Sequence, residues 1–114
     1  MSNRIDAAAE AVESHIGTWQ PENAVDLDMF LSGLPRLFEA VSVSIGHVAG
    51  TLGADFPVDP SVPERLNEIA ATVAGMADFS GEAHAVHRAA HARELERIEE
   101  PRPNEQIWDV SQNQ

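Results

Sequence analysis

The chain contains no cysteine, no tyrosine and no lysine among its 114 residues. Without cysteine there is no disulfide framework and no thiolate chemistry. Positive charge is scarce: seven arginines stand against 19 acidic side chains, for a net charge of −12. A phosphate-binding surface needs a basic footprint, so no nucleic-acid partner is expected. Long apolar runs are also missing, and the short ones are interrupted, so no membrane span is expected. "MSNRIDAAAEAVES" has no positive region followed by an apolar block, so it does not read as a secretory signal. The expected location is cytoplasmic. Phosphate loops, dinucleotide-binding glycine motifs and the nucleophile elbow are all lacking. "GHVAGTLG" has glycines, but inside a helical pattern with no strand before it. No catalytic residue and no cofactor is expected, and the acidic coat reads as a solubilising surface.

What is present is helical periodicity. Residues 3–16 read as a helix, with Ile5, Ala8, Ala9, Val12, Ile16 and Trp19 recurring on one apolar face and Gly17 as a stop. After the loop "WQPEN", Leu27, Phe30, Leu34, Leu37, Val41, Ile45, Val48 and Leu52 recur at steps of three and four. Asn23 or Asp26 can cap this helix. Pro35 predicts a kink or break near Leu34, and Gly53 an end. "GADFPVDPSVPE" predicts a rigid loop, with Ser61 as the cap of a third segment. That segment runs from about Val62 to Glu100, with a bend at Ser80-Gly81 and a stop at Pro101. No strand alternation or internal repeat appears.

The expected fold is therefore all-α. A short N-terminal helix precedes two long amphipathic helices in an antiparallel hairpin, followed by an extended tail from residue 101. Residues 1–100 form one domain. Two facing stripes make only a thin core, which calls for a third helix or a second copy of the protein.

"EAHAVHRAAHARELERIEE" raises a particular question. At about 100° per residue, His84, His87 and His91 fall on the arc of Leu66, Ile69, Val73 and Met76, while Arg88, Arg93 and Glu96 are expected to point away. Four readings are open. The histidines lie on a half-covered helix tip, or they are core residues satisfied by carboxylates or carbonyls across the interface. Alternatively His87, His91 and a third ligand such as Glu94 hold a metal ion, although no glutamate follows the first histidine as zinc proteases require. Lastly, they form a pH-sensitive contact that weakens as the imidazoles charge.

"LDMFLSGLPRLFEAV" and "HRAAHARELERIEEPRPNEQIWDV" resemble small acidic helical proteins of actinobacteria associated with conjugative or integrative elements, over most of residues 20–110. Abundant alanine and the use of arginine alone suit a high-GC actinobacterial source. The resemblance implies a helper protein beside a DNA-transfer machine and carries over no catalytic residue. A more distant resemblance is to the ESX-type helical hairpins of type VII secretion. Here the turn lacks their Trp-x-Gly, and the tyrosine of their export motif is absent.

The expected function is a non-enzymatic interaction module, as a homodimer or as a subunit of a larger assembly. His84, His87, His91 and the tail residues Ile107 and Trp108 are the candidate contacts. A metal- or pH-responsive regulator is the alternative. An acidic nucleic-acid mimic ranks last, because the acidic groups are scattered over all three helices.

Overall fold

A computed structural model describes residues 3–99. Ile107 and Trp108, with the rest of the tail, lie outside the described residues. The element order is α1 (Arg4–His15), α2 (Ala24–Asp55), α3 (Ser61–Ala90) and α4 (Ala92–Glu99), with no strand among the described residues.

Helix α1 is closed by its own side chains. Asn3 Oδ1 accepts the N–H groups of Ile5 and Asp6 at 2.8 and 2.9 Å, and Asp6 Oδ2 accepts the Asn3 N–H at 3.4 Å, completing a capping box. At the other end the Gly17 N–H reaches the carbonyl of Glu13. A Cβ at Gly17 would lie 2.7 Å from that oxygen, so only glycine fits there. Every residue of α1 is exposed, and the helix packs against none of the others. The following segment is tied down by Trp19, whose ring stacks on Phe30 with centroids 4.1 Å apart.

Helix α2 starts at Asn23, whose Oδ1 accepts the Asp26 N–H at 2.8 Å; Asp26 in turn accepts the Glu22 N–H at 3.0 Å. The helix is unbroken through Pro35 and ends two residues past Gly53. Proline removes one backbone donor, but packing against α3 holds the helix together on both sides of it. A Cβ on Gly81 would stand 3.9 Å from Pro35 Cγ, so the pyrrolidine ring faces the bare backbone of α3 at ordinary contact distance.

The third segment departs from expectation at its start and in its interior; the expected stop at Pro101 lies outside the described residues. Ser61 is not the cap: it is the first residue of the helix, Pro60 holds the N-cap position without a side-chain hydrogen bond, and Asp59 Oδ1, one residue earlier, accepts the Ser61 N–H at 2.9 Å. No bend occurs at Ser80-Gly81. The break comes instead at His91, which separates α3 from α4. The cause lies in the partner helix. His87 is level with Ala24, where α2 begins, so a straight α3 would run on unpaired. By turning at His91 the chain brings α4 against both α2 and α3 and buries Leu95 completely.

Two predictions follow from the ends and middle of α3. Because Gly81 sits in a continuous helix with room for a methyl group, Gly81→Ala raises stability by about 0.5–1 kcal/mol in urea unfolding; a glycine needed for a bend would lose stability instead. The Ser61 hydroxyl and backbone N–H hold the Asp59 carboxyl below the usual carboxylate range. This contact is therefore intact above about pH 3.9 and is lost as pH falls through the lowered folded value. Amide protection in the first turn of α3 drops only below about pH 3.9, and Asp59→Asn, which keeps an acceptor but does not titrate, removes that dependence.

Candidate functional site

The hairpin is held by a seam of small side chains. Ser42 and Ala49 on α2 and Ala70 and Ala77 on α3 line it, with Ser42 opposite Ala70. All but Ser42 are buried, and the Ser42 hydroxyl donates to the Ala70 carbonyl at 2.7 Å. The spacing between seam residues is seven on each helix. Continuing that seven-residue repeat gives Asp28 and Pro35 on α2, and His84 and His91 on α3. Two of the three histidines thus occupy seam positions, and His87 occupies the next apolar position of the same repeat.

Asp28 is the residue that sequence reading missed. It is buried, 7 % exposed, near the start of α2. The imidazole Nε2 of His84 lies 2.9 Å from its Oδ1, and Arg88 donates to Oδ2 at 2.8 Å. Arg88 was expected to point away; it sits about 40° from Leu66 around the helix, and its long side chain reaches across the seam. His87 is also buried, and its Nε2–H donates to the Ala24 carbonyl at 3.1 Å. His91, at the break, is exposed; its ring lies 5.0 Å from that of His87, and its Nδ1 lies 3.2 Å from Glu94 Oε1.

His84 and His87 are therefore interface donors satisfied by a carboxylate and a carbonyl, while His91 belongs to the tip. His87, His91 and Glu94 do line one open cleft of about 330 Å³ beside Pro21 and Ala24. No group of three or more His, Cys, Asp or Glu among the described residues is arranged to hold a metal ion.

The second feature is a face rather than a pocket. Val41, Val48, Ile69 and Met76 each come one residue before a seam residue. They are rotated by the same angle in the same sense, and because α2 and α3 run antiparallel, that rotation carries them to the same side of the hairpin. All four are 40–52 % exposed. Leu34 on α2 and Val62 on α3 extend the same row. Carboxylates avoid it: Glu39, Glu68, Asp78 and Glu82 point to other sides by the same angular count, as does Arg36, while Arg65 stands at its edge between Val62 and Ile69.

By length and composition α2 qualifies as a membrane span, with a mean hydropathy of 1.3 over 18 residues. Its interruptions are mostly Gly, Ser and Ala rather than charges, which is why it passes where an uninterrupted apolar run was not found. Its partner α3, in contact along its length, carries Arg65, Glu68, Asp78 and Glu82, which hydrocarbon would not accept.

No protein-family model, curated protein or solved structure matches this chain.

Asp28 is the group on which this end of the hairpin turns. Asp28→Ala costs about 1–3 kcal/mol of stability. A double-mutant cycle with Arg88→Ala in urea unfolding returns a coupling of about 0.5–2 kcal/mol; additive effects would mean that the pair contributes nothing together.

Proposed function

We propose that this protein is a non-enzymatic helical interaction module that acts by burying one side of its hairpin on another protein surface. The observation that carries this reading is the placement of large apolar side chains. A helix in a two-helix seam needs only two apolar positions in seven; a third marks a helix that packs in a bundle. Here that third position is filled by Leu34, Val41 and Val48 on α2 and by Val62, Ile69 and Met76 on α3, and all of these but the half-buried Leu34 remain 40–52 % exposed. Two helices side by side make a single layer, whereas a stable domain is built from at least two. The polar groups at the end of the hairpin support a structural role, since His84, His87, Arg88 and Asp28 are engaged with one another and with the backbone.

The test is association in the native host, with tagged and untagged copies of the chain both present. Val41→Asp places a charge in the row, while Val43→Asp places one at a 67 % exposed position outside it. The wild type and Val43→Asp are expected to retain one stoichiometric partner, which is lost with Val41→Asp. If a charge in the row changes no association, the module reading is wrong.

A further inference from the structure

We infer that the occupant of this face is a second copy of the same chain, so that two hairpins stack into a four-helix bundle related by a two-fold axis. This rests on the module reading above and adds the identity of the partner.

Three observations converge on a second copy. The first is a surplus of apolar side chains. Leu31, Phe38, Ile45 and Leu52 on α2 and Leu66 and Val73 on α3 are half-buried beside the small seam residues and already serve the contact between the two helices. Val41, Val48, Ile69 and Met76 lie further round on one side and stay 40–52 % exposed. A hairpin built to stand alone has no use for this second row, whereas an opposing layer does.

The second is charge. The chain carries −12, so two copies repel unless they meet through a neutral surface with their carboxylates held apart. The row between Leu34 and Leu52 on α2, and between Ile69 and Ala83 on α3, has no charged residue on this side by the angular count. A basic partner would instead be drawn to the acidic sides of the helices, where Glu39, Asp78 and Glu82 lie. An apolar face free of carboxylates, with Arg65 at its edge, is complementary to itself, as a two-fold interface requires.

The third is area. The row is about 27 Å long and the helix pair about 20 Å wide, which gives about 550 Å² per copy and about 1,100 Å² for the pair. That clears the threshold of about 1,000 Å² for a specific interface. The thinnest dimension of the molecule is 16 Å, and stacking a second layer on it gives the two-layer core that the single hairpin lacks.

The deciding experiment is sedimentation equilibrium of the purified full chain from 1 to 200 µM, beside Val41→Asp and Val43→Asp. The expected mass is twice the 12.3 kDa of the chain for the wild type and for Val43→Asp. Val41→Asp is expected to weaken the pair by about 100-fold or more, because the charge is buried once in each copy. Should Val41→Asp fail to fold, the wild type decides alone: its melting temperature rises with concentration if the dimer is the folded unit. A wild type that is monomeric at 200 µM, with a melting temperature independent of concentration, overturns the inference. If such a monomer still captures a different protein in the host, and loses it with Val41→Asp, only the identity of the partner was wrong and the module reading stands. If it captures nothing, both fail.

Discussion

The close approach of α2 and α3 through small side chains sets the terms for everything else in this molecule. Serine and alanine at the seam bring the two backbones near enough for the Ser42 hydroxyl to reach across to a carbonyl of the other helix. They contribute little apolar area of their own, so the seam alone buries only a thin core. The leucines, valines and phenylalanines of the same repeat are left half covered as a direct result. Apolar content and apolar burial have been separated here, the first being ample and the second small.

At the end near the start of α2 the seam changes character. A carboxylate takes a seam position there, answered by an imidazole and a guanidinium from the other helix. Such a group tolerates few alignments. A shift of α3 by one turn would withdraw both donors from Asp28 and leave a buried charge unpaired, which is far costlier than misplacing an alanine. Small side chains slide past one another easily, so the polar contacts supply the register that the seam by itself specifies only weakly. His87 adds to this by closing on the Ala24 carbonyl, at the point where α2 begins.

The helices and their pairing were legible in the sequence because a repeat of three and four survives every glycine and proline in it. What the repeat does not encode is where one helix runs out of partner. The break at His91 depends on the position of Ala24, more than sixty residues earlier, and no local signal marks it. Asp28 was overlooked for a related reason: an acidic residue near a helix start reads as a complement to the helix dipole, and only the antiparallel register brings it beside His84 and Arg88. Gly81 looked like a weak point because glycine is a poor helix former, yet it lies against the ring of Pro35, so two apparent helix breakers face each other in an unbroken pair. Ser61 reads as a cap because serine is a preferred capping type, but the helix begins at Ser61 itself, with Pro60 before it and Asp59 accepting its N–H.

Helix α1 has a consequence for how the protein unfolds. Twelve residues make a marginal helix in water, and this one is supported by its own caps at both ends while touching no other helix. Its melting is therefore uncoupled from that of the hairpin. Heating the chain releases helix gradually from α1 and cooperatively from α2 and α3, so a circular dichroism trace sums two processes and its midpoint belongs to neither. Trp19, stacked on Phe30, sits on the hairpin side of that division, and its fluorescence reports the cooperative unit alone wherever the signal of Trp108 is removed by substitution.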